Sequence, residues 1–112
     1  MAAPHLAQSV RAGETVYTSG QLGYADGAIG GDIAAQTRRA LANLAAALEP
    51  HGLGLADVVK TTVWLKRAED FAAFNAAYAE VFGAHTPARS TTICDLAVEE
   101  ALVEIEGIAV IR

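Results

Sequence analysis

The sequence predicts an α+β fold with element order ββαβαββ, its 112 residues forming one domain. Three observations lead there. A β-branched run, Val58 to Leu65, occupies the middle of the chain. Apolar residues at helical spacing lie on either side of it, and shorter strand-like segments lie at both ends.

Ala7 to Val10 and Thr15 to Leu22, separated by Ala12-Gly13, read as a hairpin. Tyr24 to Gly31 is a Gly- and Asp-rich connection, and Asp32 suits the N-cap of a helix. Along that helix Ile33, Thr37, Ala40, Leu41, Leu44 and Leu48 form one stripe, and Pro50 and Gly52 end it. In the central strand, alternation puts Val59, Thr61, Val63 and Leu65 on one face, with Val58 and Trp64 on the other. Glu69 and Asp70 suit the positive end of a second helix. Its stripe runs through Phe71, Phe74, Tyr78, Val81 and Phe82 to Gly83. After Pro87, Arg89 to Leu96 and Leu102 to Ile111 read as strands joined by the acidic turn Glu99-Glu100.

Two helices cover only one face of such a sheet, yet its strands are apolar on both sides. The other face therefore calls for a partner, and closed symmetry favours a small cyclic oligomer. Composition agrees: 53% of residues are hydrophobic and only 19% charged. A net charge of -5 with scattered cations disfavours a nucleic-acid partner. Cys94 is the sole cysteine, which excludes an internal disulfide and a cysteine-built metal site within one chain. His5, His51 and His85 lack metal-ligand spacing, so no metal is expected. The N-terminus resembles no secretory signal and no run would span a bilayer, so the expectation is a cytoplasmic protein without membrane partners.

Four places offer chemistry. Arg89, in Pro87-Ala88-Arg89-Ser90, stands at a strand start, where its planar fork suits a carboxylate ligand. The alternative is a salt bridge to Glu104 or Glu106. Those two glutamates project on one side of an otherwise apolar strand. A poorly solvated carboxylate there is either a general base or the partner of a neighbouring cation. In Ser19-Gly20-Gln21 the glycine admits a ligand or simply forms a bulge. Asn75 interrupts the aromatic stripe, where it bonds a loop carbonyl or touches a ligand.

Taken in order, these residues resemble the reactive intermediate deaminase family, also called Rid, YjgF or endoribonuclease L-PSP-like. The resemblance covers nearly the whole chain. It rests on Tyr17-Thr18-Ser19-Gly20-Gln21, Gln36, Asn43-Leu44, Asp57 to Val63, Phe71 to Tyr78 around Asn75, Pro87 to Ser90, and Glu104-Ile105-Glu106 with Ile108-Ala109. It implies a chorismate-mutase-like subunit, a homotrimer around a central barrel, and clefts at the subunit interfaces. It also implies cofactor-free hydrolysis of 2-imino or 2-enamino acids, such as 2-aminoacrylate, to 2-oxo acids and ammonia. Arg89 would then bind the substrate carboxylate and Glu104 would hold or activate water, with Tyr17, Ser19, Gly20, Asn75 and Thr91 lining the substrate site. The chain departs from the family pattern at two places. Leu6, or His5 under a shifted alignment, replaces a tyrosine, and Thr91 replaces a cysteine. A non-catalytic carboxylate-binding protein is the second reading, and a ribonuclease or translation inhibitor, disfavoured by the acidic sequence, is the third.

Overall fold

The computed structural model describes residues 4–112. Chain order is β1 (Ser9–Ala12), β2 (Thr15–Thr18), β3 (Gln21–Leu22), β4 (Tyr24–Ala25), β5 (Ala28–Ile29), α1 (Ile33–Leu48), β6 (Val58–Leu65), α2 (Phe71–Phe82), β7 (Ala88–Ile93) and β8 (Val103–Val110). The main sheet runs β1-β2-β8-β6-β7, with β3 also paired to β8, while β4 and β5 form a separate small hairpin. Every pairing is antiparallel except β6 with β7, which is parallel.

Four expectations need correction. The first strand is Ser9–Ala12 rather than Ala7 to Val10. The expected strand Thr15 to Leu22 is broken at Ser19-Gly20 into β2 and β3, both lying along one edge of β8. At the break the Gly107 N–H donates to Thr18 Oγ1 at 3.0 Å, so a side chain serves a backbone group there. The strand expected over Arg89 to Leu96 is Ala88–Ile93, and β6 lies between it and β8. A βαβ crossover through α2 needs that parallel neighbour. Finally, Val58 faces the helices and Val59 is exposed, the reverse of the alternation expected. Val58 pairs with Ala109 and Lys60 with Ile108, so Val59 is the extra residue of a bulge and the pattern is in phase only from Lys60 onward.

Both helices cover one face. Leu41, Leu44 and Leu48 of α1 and Phe74, Tyr78 and Phe82 of α2 form one core with Val58, Val63 and Leu65 of β6 and Val103, Ile105 and Ala109 of β8. Asp32 caps α1, its carboxylate accepting from the Ala35 N–H at 2.9 Å. At the start of α2, Asp70 makes no such capping bond; it accepts from Arg67 Nε at 3.1 Å. The buried amide of Gln36 ties α1 to the chain entering β8, accepting from the Leu102 N–H and donating to the Gly31 and Glu100 carbonyls. The opposite sheet face carries Val10, Tyr17, Lys60, Thr62, Trp64, Glu104, Glu106 and Ile108, with Val10 and Tyr17 about half exposed. Among the described residues no helix is long and apolar enough to cross a membrane.

Candidate active site

Arg89 is the second residue of β7, directly opposite the buried Thr61 of β6. Its side chain turns toward the helices. Nη2 donates to Asn75 Oδ1 at 2.8 Å, and the guanidinium carbon lies 4.9 Å from the Tyr78 ring centre, 5.2 Å from that of Phe74 and 6.0 Å from that of Phe71. Three rings of one helix stripe thus hold a cation that a neutral amide orients. The Tyr78 hydroxyl in turn bonds Thr61 Oγ1 at 2.7 Å. Burial raises the tyrosine's proton affinity; the Thr61 hydrogen bond and the nearby Arg89 charge oppose that rise. Among the described residues no carboxylate pairs with Arg89, so the salt bridge to Glu104 or Glu106 is overturned.

The physical reason is the sheet itself. Arg89 pairs with Thr61 on the helix face, whereas Glu104 pairs with Trp64 of β6 and Leu22 of β3 on the opposite face. β6 separates their strands. Desolvation raises the Glu104 pKa first, and the neighbouring Glu106 carboxylate raises it further. Its carboxylate also lies against backbone, since a Cβ placed on Gly20 would overlap Glu104 Oε2. The glycine at the strand break is what lets this acid pack there.

The remaining candidates divide between these two places. Thr91, two residues along β7, shares the Arg89 side of the strand. Asn75 contacts the guanidinium rather than a loop carbonyl, which corrects that alternative. Ser19 is occupied locally, its hydroxyl donating to the Ala7 carbonyl at 2.6 Å. Gly20 lies beside Glu104 and, with Leu6, Gln21, Leu22, Tyr24 and Asn43, lines a cavity of about 640 Å³. Tyr17 is exposed on the Glu104 face, paired with Ile108, four residues along β8 from the acid. The structure adds Thr61, Phe74 and Tyr78, which the sequence alone assigns only to the core or to a strand face. Their signal was a helix stripe carrying rings at Phe71, Phe74 and Tyr78 ahead of a strand that opens with an arginine. Among the described residues no cluster of three His, Cys, Asp or Glu side chains is placed to hold a metal ion.

Comparisons with known proteins agree with one another. Residues 1–111 match the family described as endoribonuclease L-PSP. The 2-iminobutanoate/2-iminopropanoate deaminase of Escherichia coli is 41% identical over 110 residues, covering 94% of this chain and 86% of that protein. A RutC family protein of Pyrococcus horikoshii is 41% identical over 105 residues, covering 91% and 83%. Among solved structures, the E. coli YjgF gene product superposes with a TM-score of 0.89 at 41% identity, covering 97% of this chain and 89% of that one. E. coli TdcF with bound serine gives 0.89 at 34% identity, covering 100% and 91%.

Proposed function

This chain belongs to the endoribonuclease L-PSP family, which includes YjgF and the iminobutanoate deaminases, and from that premise we propose that it hydrolyses 2-imino acids to 2-oxo acids and ammonia. The observation that carries the reading is the state of Arg89: a guanidinium oriented by a neutral amide and aromatic rings, with no carboxylate paired to it among the described residues. Such a group is preorganised for an anionic ligand, and its planar donors fit a carboxylate.

An enamino acid first tautomerises to its imine. Arg89 then holds the carboxylate, which fixes C2. Glu104, in its ionised form, accepts a proton from water as the oxygen attacks C2. The same proton passes to the imine nitrogen to complete the carbinolamine; Glu104 then carries the proton of the new hydroxyl to that nitrogen, the C2–N bond breaks as ammonia leaves, and the C2–O bond becomes the carbonyl of the oxo acid. No electrons are exchanged with another molecule, so no cofactor enters the balance. Elevated proton affinity at Glu104 suits this exchange near neutral pH better than an ordinary carboxylate would.

Arg89 and Glu104 lie on opposite faces of one sheet, so the proposed site joins Arg89 of one copy to Glu104 of another. The partly apolar face bearing Tyr17, Trp64 and Ile108 supplies the contact, and a closed ring of three copies is the assembly proposed. The test is the loss of 2-aminoacrylate, generated in place by a serine or threonine dehydratase, with Arg89→Ala as control. Acceleration that the substitution removes supports the reading; none by either protein sinks it for this substrate. A carboxylate-binding role without turnover, favoured by the serine seen in TdcF, predicts binding that Glu104→Gln leaves intact and no catalysis.

A further inference from the structure

We propose that the cavity beside Arg89 receives the apolar side chain of the imino acid, so that this protein prefers 2-imino acids with side chains longer than ethyl. The inference rests on the carboxylate role of Arg89 and names the substrate class of that same site. The cavity has a volume of about 410 Å³ and is walled by Tyr78, Ala79, Phe82, Thr86, Pro87 and Arg89 itself. One wall is therefore the cation, and most of the others are rings or methyl groups.

A ligand that places an anion on Arg89 and extends hydrocarbon past Tyr78 and Phe82 satisfies both. Its polar end meets charge-assisted donors, and its carbons leave water for apolar walls. Asn75 Oδ1 accepts from Nη2, and three rings of α2 lie against the guanidinium, which orients the cation in this arrangement. The side chain that fits carries no charge. The walls include no carboxylate to meet an amine. His85, also on the cavity wall, spends its Nε2–H on the Val58 carbonyl at 2.7 Å, so that donor is not free for a second acid group. The hydrogen bond also anchors the turn after α2, which keeps Thr86 and Pro87 in place as walls.

Burying one methylene strengthens binding by about fourfold, so a few added carbons give a difference that is simple to measure. Calorimetric titration of the two product acids, pyruvate and 4-methyl-2-oxopentanoate, reads the pocket without requiring turnover. The wild-type protein should bind the longer acid more tightly by about tenfold or more, from the same methylene increment. Ala79 is exposed on α2, so Ala79→Leu narrows the cavity without disturbing the core. It should cut the preference to about threefold or less while pyruvate affinity stays within about twofold. Thr86→Trp should do the same from another part of the lining.

Equal affinities in the wild-type protein overturn the pocket, as does failure of the longer acid to bind, or a preference that survives both substitutions. If the preference is present and cavity-dependent but no imino acid is deaminated, the pocket stands and the deaminase reading falls. Deamination that is indifferent to side-chain length, with equal oxo-acid affinities, removes the pocket and leaves the deaminase reading standing.

Discussion

Arg89 and Glu104 are opposite charges handled in opposite ways. The guanidinium lies against side chains of one helix, is given a neutral hydrogen-bond partner and has no counter-ion among the described residues. The carboxylate lies on the uncovered face, pressed against a glycine backbone and beside a second acid, where both desolvation and repulsion favour its protonated form. Aromatic faces stabilise a cation that must stay charged, whereas a site that penalises charge suits a group that must take and return a proton. In this reading the difference separates a clamp from a base, and within one copy the sheet lies between them.

Removing the clamp should have the largest effect. Arg89→Ala is expected to lower kcat/KM for deamination by about a thousandfold or more, since it removes both charge and orientation. Arg89→Lys should recover only part, because an ammonium lacks the planar fork. Thermal unfolding of Arg89→Ala should fall modestly, because the Asn75 hydrogen bond and the ring contacts are lost, and that of Arg89→Lys less. A deaminase rate unchanged in Arg89→Ala would break the comparison outright.

Glu104→Gln comes next, with kcat reduced by about a hundredfold and affinity for the oxo acid retained, the pattern of a lost proton-transfer group. Gly20→Ala should produce a milder copy of that loss, about tenfold, because the new methyl group must displace the Glu104 carboxylate. Its oxo-acid affinity should change little, which separates it from damage to the clamp.

The pH profile sharpens the comparison further. If ionised Glu104 is the base, kcat/KM rises with pH through a pKa above the ordinary carboxylate value. The Glu106 charge contributes to that elevation, so Glu106→Gln should move the rise to lower pH. A shift upward, or none, would remove Glu106 from the account. The smallest catalytic effect is expected of Tyr78→Phe, which keeps the ring over Arg89 and loses only the bond to Thr61. Its rate should stay within about twofold, while the buried Thr61 hydroxyl left without a partner costs about 1–2 kcal/mol, read as a lower Tm.

Much of this architecture is legible in the residues, and the exceptions have a common cause. The stripe from Ile33 to Leu48 and the run Val58 to Leu65 repeat strongly enough to identify α1 and β6 from local sequence. Neighbours in the sheet are set by contacts distant in sequence. Nothing near Arg89 says that β7 joins β6 in parallel. The extra residue at Val59 and the break at Ser19-Gly20 are one-residue events that invert the facing of everything beyond them. The site shares this limit. Arg89 and Glu104 stand out by residue type, but their placement on opposite faces follows from register, and the Asn75 contact follows from the crossover that lays α2 over β7.

The central claim is that the clamp and the base of one site come from different copies of the chain. Mixing Arg89→Ala with Glu104→Gln, each inactive alone, and allowing subunits to exchange tests it directly. Random pairing across the interface then joins an intact Arg89 to an intact Glu104 in about a quarter of the sites, and a corresponding fraction of wild-type deaminase activity should return. No recovery, with subunit exchange verified by mass, would place both residues in the same copy's site and contradict the account.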